Sequence, residues 1–357
     1  MELLLQETQH VKILKASMLN KTLIIAEAGV NHNGDIDIAK QMIDIAAEVG
    51  VDYVKFQTFK TEKLVNKAAK KAEYQAKNSG DTDDTQFAML KKLELTGAMH
   101  EILIDYCRER NIRFLSTPFD EDSARYLSSL GIKIGKIPSG EITNLPFLRT
   151  MAACFPELIL STGMSTMEDV EAALQALTNA GAKKENITIL HCNTEYPTPF
   201  TDVNLKAMLF IQRKTGVRIG YSDHTLGIEV PIAAVALGAV VIEKHFTLDR
   251  SLSGPDHKAS LEPSELKAMV SAIRNIESSL GSEKKEPSQS ERKNMSVARK
   301  SIHIKQNLSA DHILTAADLV MKRPGDGISP MEFEKIIGRK LKNNLCSDHM
   351  LTWNDLM

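Results

Sequence analysis

The 357-residue sequence predicts an α/β protein, a (β/α)8 barrel of eight parallel strands, followed by a small β-rich unit. Three observations predict it. Short β-type runs alternate with helical stretches until eight runs have passed. The runs are nearly continuous in apolar residues, as strands covered on both faces require. A polar stretch beginning at residue 282 then ends the alternation. The competing architecture is an open doubly wound sheet, whose GxGxxG fingerprint is missing after the first run.

The first run is LIIAEAG (23–29). In the following DIDIAKQMIDIAAEVG, Ala39, Met42, Ile43 and Ala46 recur at helical spacing, and Gly50 supplies a C-terminal stop. DYVKFQT (52–58), IRFLSTP (112–118), IGKIPSG (134–140) and LILSTG (158–163) come next, the last leading into the helical TMEDVEAALQALTNAG. ITILHCN (187–193), VRIGYSD (217–223) and VVIEKHF (240–246) complete the eight, and PSELKAMVSAIRNIESSLG follows as a helix. These elements divide the chain into an N-terminal extension (1–20), a barrel (21–281), an exposed linker (282–296, SEKKEPSQSERKNMS) and a domain of short strands and tight turns (297–357).

Composition narrows the function. The chain is 43% hydrophobic and 25% charged with a net charge of -2, and this near balance argues against nucleic-acid binding. Apolar runs such as PIAAVALGAVVIE (231–243) fall short of the roughly 18 residues a membrane span needs and are broken by Pro231 and Gly238. The N-terminal segment has no secretory pattern, so cytoplasm is the expected location. Cys107, Cys154, Cys192 and Cys346 show no CxxC spacing and read as free thiols.

Polar residues gather at the C-terminal ends of nearly all the runs: Glu27, Lys55, Gln57, Thr117, Lys136, Ser139, Glu141, Ser161, His191, Tyr196, Asp223, His224, Glu243, Lys244 and His245. Any one of them is ordinary where a strand meets a loop. Together, in a barrel, they converge on one mouth, where active sites are built. Two histidines on adjacent strands, with no cysteines near, suit a divalent ion that keeps open positions, with Asp223 orienting a ring; hydrogen-bonded structural histidines are the alternative. Lys55, Lys136, Thr117, Ser139 and Ser161 suit a ligand carrying carboxylate and phosphate. For Lys136 a pairing with Glu141 or Glu27, or a Schiff base, also stands open.

The motifs AEAGVNHNG, VKFQTFK, STPFD, KIPSGEITNLP, LSTGM, HCNTEYPTPF, GYSDHT, EKHFTLD, SGPDHKASLEP and KRPGDGISP, in this order over roughly residues 20–345, resemble the sialic acid synthases, which condense phosphoenolpyruvate with an amino sugar in nonulosonate biosynthesis. The resemblance implies a barrel followed by an antifreeze-like SAF domain of β-clip type in a domain-swapped homodimer. It implies His224 and His245 as ligands of Mn2+ or Mg2+, and Lys55, Thr117, Lys136, Ser139 and Ser161 as phosphoenolpyruvate contacts. Thr194 stands where part of the family has asparagine, with Asn193 as the other candidate for that contact. Gln57, Tyr196 and Asp256, with Glu27, line the sugar side, and Arg323 reaches in from the partner subunit. Glu27 or Glu141 carries the proton. The implied product is N-acetylneuraminate from N-acetylmannosamine. The alternatives are legionaminate from a 2,4-diacetamido-2,4,6-trideoxy sugar, to which IAEAGVNHNG and GPDHKASLEP look closer, and a Schiff-base aldolase. The long stretch after the second run, KTEKLVNKAAKKAEYQAKNSGDTDDTQ, is expected to cover the mouth with Tyr74 and Gln75 on the sugar; a solvated loop is the alternative.

Overall fold

The computed structural model describes residues 21–72, 75 and 85–357, so the extension 1–20 and Tyr74 lie outside the described residues. Its contacts divide the chain into two compact units, one running to Gly281 and the other Ser282–Met357. In the first, β1 (Leu23–Gly29), β2 (Tyr53–Thr58), β3 (Arg113–Pro118), β4 (Ile134–Ile137), β5 (Glu157–Ser161), β6 (Ile187–Cys192), β7 (Arg218–Asp223) and β8 (Val241–His245) form one parallel sheet. The strand order is β3-β2-β1-β8-β7-β6-β5-β4, and the end strands β3 and β4 lie against each other, closing a (β/α)8 barrel.

Helix α1 (Ile36–Val49) shows how sequence sets the outer layer. Asp35 caps it through bonds from Asp37 N and Ile38 N, and Gly50 ends it in the left-handed region at φ 77°. Ala39, Met42, Ile43 and Ala46 are its buried face, packed on the outer side of the strands. A second core lies inside the barrel, where Ile25, Leu115, Ile134, Ile159, Leu190 and Val241 meet.

The second unit has its own small core, including Ile302, Ile304, Leu314, Leu341 and Leu351, around the antiparallel pair β9 (Ser301–Ile304) and β10 (Leu319–Lys322). The stretch expected to be a plain linker carries a helix, Gln289–Ala298. Ser288 and Glu291 close a capping box on it, and none of its residues is buried. A polar composition hid it, because helix propensity and a good cap need no apolar stripe.

Candidate active site

Side chains alternate across a strand, so residues two apart face the same way. Ile25 and Glu27, Leu115 and Thr117, Ile134 and Lys136, Ile159 and Ser161, and Leu190 and Cys192 are such pairs. The apolar member fills the barrel, and the polar member lines a cavity of about 530 Å³ at the C-terminal ends. Lys55 and Gln57 of β2, with Glu243 and His245 of β8, complete the floor.

Charges on this floor alternate in sign. Lys55 Nζ lies 2.9 Å from Glu27 Oε1 and 3.1 Å from Glu243 Oε2, and donates to Thr117 Oγ1 at 3.0 Å. Lys136 Nζ donates to Ser161 Oγ at 2.8 Å and lies 3.3 Å from Glu243 Oε1, which accepts from Ser222 Oγ at 2.9 Å. Burial alone would drive these groups neutral. For Glu27, the charges of His245, Lys55 and Lys136 outweigh burial and hold its carboxyl well below the usual range. Lys136 and Lys55 do the same for Glu243. Lys55 is raised, since Glu243 and Glu27 outweigh its burial, whereas at Lys136 burial prevails and the ammonium is weakened. An ammonium has three N–H donors. Lys55 has three oxygens within 3.1 Å, whereas Lys136 has two oxygen neighbours.

Beside this cluster stand the two imidazoles, ring centres 5.5 Å apart. Tyr196 lies 4.1 Å from the His224 ring and meets His245 edge-on at 5.6 Å. His224 Nδ1 is 2.5 Å from the Asn193 carbonyl, which makes Nδ1 the donor and leaves Nε2 a bare acceptor. Burial, then the neighbouring His245, keep His224 neutral, with its pKa down to about 3. His245 Nε2 lies 3.3 Å from Glu27 Oε2, and its Nδ1 is buried without a partner. The bare Nε2 of His224 and the unpartnered Nδ1 of His245 fit a divalent ion, and these two rings would hold it. Among the described residues no group of three or more His, Cys, Asp or Glu side chains is placed to hold one.

Two glycines let backbone approach side chains here. A Cβ on Gly29, at φ +54°, would sit 3.2 Å from the His245 ring. One on Gly163 would sit 2.5 Å from Thr194 Cγ2 and 2.9 Å from Ser139 Oγ, and Gly163 N donates to that same hydroxyl at 2.9 Å. Ser139, Ser161 and Thr194 all line the cavity. Asn193 does not; its side-chain oxygen accepts from Glu195 N and Thr198 Oγ1.

Gln57, Gln75, Tyr196 and Asp256 also line the cavity, with Gln57 Nε2 3.4 Å from Glu27 Oε1. Burial pushes the Asp256 carboxyl up. Arg323 belongs to the second unit, where its Nε donates to the Ala298 carbonyl at 3.1 Å.

Four expected residues turn elsewhere. Pro138 ends β4 and the 3-10 turn Ser139–Glu141 carries Glu141 out of the cavity lining, where its carboxylate accepts from Asn144 Nδ2 at 2.6 Å. His191 faces the helix layer, with Nε2 2.9 Å from the Val203 carbonyl. Asp223 has no bond to the His224 ring. It pairs instead with Lys244 at 2.5 Å, both fully buried, and accepts from Thr225 N and Oγ1, so these two residues tie β7 to β8 from the outer face. Conversely, Ser222 and Cys192 sit in the lining though neither was expected there, and Glu243, expected only as one of the strand-end set, lines it too. The signal was the period of two, which puts Glu243 with His245 and Lys244 on the reverse.

Residues 42–285 match the NeuB family, and residues 299–357 match the SAF domain. The chain is 51% identical to an N,N'-diacetyllegionaminic acid synthase from Campylobacter jejuni, over 93% of this chain and 99% of that protein. It is 47% identical to the N,N'-diacetyllegionaminic acid synthase of Legionella pneumophila, over 93% of this chain and 94% of that one. Among solved structures, the N-acetylneuraminic acid synthetase of Leptospira borgpetersenii, crystallised with citrate, superposes with a TM-score of 0.67 at 35% identity, covering 77% of this chain and 90% of that one.

Proposed function

Because this chain belongs to the NeuB family and ends in an SAF domain, we propose that it condenses phosphoenolpyruvate with the open-chain form of an N-acylated amino sugar, giving a nonulosonic acid and inorganic phosphate. The observation that carries the reading is one cavity in which Lys136, Ser139 and Ser161 adjoin two imidazoles and Glu27. The sequence alone put N-acetylmannosamine first as acceptor. The relatives at 51% and 47% identity favour the alternative, 2,4-diacetamido-2,4,6-trideoxymannose, and that is the acceptor proposed.

In the reaction, C3 of phosphoenolpyruvate bonds to the aldehyde carbon and water adds at C2. The C2–O bond to phosphorus then breaks, phosphate leaves, and the former aldehyde oxygen gains a proton. Lys136, with its spare N–H, and the hydroxyls of Ser139, Ser161, Thr117 and Thr194 hold the carboxylate and phosphate, fixing C3 for attack. Of the two expected proton carriers Glu27 alone lines the cavity, where it touches both Lys55 and His245; held ionised by their charges, it accepts the proton of the adding water and hands it on to the former aldehyde oxygen. Gln57, Tyr196 and Asp256 hold the sugar. Manganese or magnesium on His224 and His245 would supply Lewis acidity toward the aldehyde oxygen and the water.

Phosphoenolpyruvate labelled with oxygen-18 at the bridging position tests this reading. The label is expected in inorganic phosphate, with the acid product identified by mass; label retained in the sugar acid means the wrong bond breaks. One observation favours a second reading: a buried amine of weakened basicity at Lys136 is also what a Schiff-base lyase uses. Borohydride with pyruvate would then trap Lys136, and the synthase reading expects no trapping.

The reading extends to a domain-swapped homodimer in which Arg323 serves the partner's barrel, as the Pro/Gly turn KRPGDG suits a presented side chain. Arg323→Ala and His245→Ala, each inactive alone, should regain part of the activity in mixed dimers. Verified heterodimers without activity would refute the swap.

A further inference from the structure

The cavity has a polar floor and an apolar wall. Val30, Val65, Met89, Leu90 and Phe119 line part of the cavity, and they belong to one cluster separate from both barrel cores. Met89 and Leu90 come from a helix, Gln86–Leu93, held by a Thr85 cap, so the wall stands on an ordered element. The barrel strands do not need this cluster for closure, and among the described residues its side chains carry no hydrogen-bonding group. Amides stand at its edge, where Gln86 Nε2 lies 3.4 Å from Gln75 Oε1.

We propose that this wall is the subsite for the far end of the acceptor, taking the C6 methyl and an acetamido methyl of a 6-deoxy sugar and selecting them against a C6 hydroxymethyl group. The inference rests on the synthase reading. The aldehyde carbon must lie by Glu27 and the imidazoles at the floor, so carbons 4 to 6 extend toward the loops and reach the wall. A methyl there leaves water for apolar contact. A hydroxyl at the same place loses its water and finds no partner. An apolar pocket rejects an isostere with an added hydroxyl by on the order of 10²-fold.

The test compares kcat/KM of the full chain, with manganese, for three aldehyde sugars: 2,4-diacetamido-2,4,6-trideoxymannose, 6-deoxy-N-acetylmannosamine and N-acetylmannosamine. The last two differ only at C6. The full chain should prefer the 6-deoxy compound over N-acetylmannosamine by roughly 10²-fold. Met89→Gln, similar in shape, should cut that ratio by about fivefold or more through the sugar KM, leaving the phosphoenolpyruvate KM unchanged. Val65→Thr, at a half-buried position, should act in the same direction and carries the test if Met89→Gln does not fold. A ratio near one in the full chain, or one that folded variants leave unchanged, overturns the subsite and spares the synthase reading. No phosphate release with any of the three sugars overturns both.

Discussion

The barrel mouth and the SAF unit are furnished with the same kinds of side chain and use them in opposite ways. In the SAF unit, His312 Nε2 lies 3.0 Å from Asp318 Oδ2, which also accepts from Thr315 N at 2.9 Å and Thr315 Oγ1 at 2.7 Å. The arrangement recurs at His349, Thr352 and Asp355, with 3.2, 2.7 and 2.7 Å. Both close capping boxes on 3-10 turns, so their bonds serve the local backbone. At the mouth, His224 keeps a bare nitrogen, His245 has one without a partner, and Lys136 keeps a donor. A site is marked by the bonds its residues leave unmade after folding, more than by the residue types.

The strongest way to break this contrast is to remove the spare donor. Lys136→Met should lower kcat/KM by about 10³-fold or more, equivalent to about 4 kcal/mol of transition-state stabilisation, with a smaller stability loss than at Lys244 because Glu243 keeps Lys55 and Ser222. Steady-state kinetics retaining a tenth of the activity would contradict the assignment. Lys244 is the control, a lysine on the reverse of the same sheet. Lys244→Met strands the buried Asp223 carboxylate and should cost roughly 3–5 kcal/mol in urea unfolding. Only part of that loss should return when Asp223→Leu is added, because the buried Thr225 N and Oγ1 then lose their acceptor.

Acid should separate the two regions. His32 is fully buried, and burial first, with His100 next, holds its pKa down to about 4. A depressed histidine leaves the unfolded chain binding the proton first, so its contribution is complete above pH 6.5 and lost as pH falls toward 4, about 3 kcal/mol in all. In the SAF unit the Asp318 carboxyl sits at about 2: burial opposes ionisation, but bonds from His312 and Thr315 outweigh it. A depressed carboxylate stabilises above its ordinary pKa and is lost only as pH falls from near 4 to 2. Amide hydrogen exchange between pH 7 and 4.5 should therefore show protection falling in the barrel around His32 with little change around Asp318. The reverse order would overturn the comparison. The smallest effect is expected at Asp318→Ala, a loss of about 1 kcal/mol in the SAF unit with kcat/KM unchanged.

The strand frame was legible because buried parallel strands leave apolar runs: LIIAEAG coincides with Leu23–Gly29, and the helical spacing of Ala39, Met42, Ile43 and Ala46 is the buried face observed. The mouth was legible as a set of strand ends, and less so residue by residue. His191, Asp223 and Lys244 share those ends with the cavity residues, but alternation sends them outward, and strand-end position by itself ignores that sign. Glu141 was misplaced for another reason, a turn rather than a strand following Ile137. The doubled turn of the SAF unit, DHILTAADL and DHMLTWNDL, went unread because its shared residues are scattered among dissimilar ones and its bonds are made between side chain and backbone. The apolar wall went unread because its residues are spread over the chain: Val65 sits in the charged stretch after β2, whereas Val30, Met89, Leu90 and Phe119 come from outside it.

Gly29 bears on how such enzymes are altered by mutation. Its φ of +54° and the imidazole 3.2 Å from its missing Cβ mean that any side chain there both strains the backbone and shoves His245. A saturation library at this position should lose activity almost throughout, although glycine contributes no reacting group. A survey of intolerant positions would rank it beside the histidines, although it carries no side chain of its own.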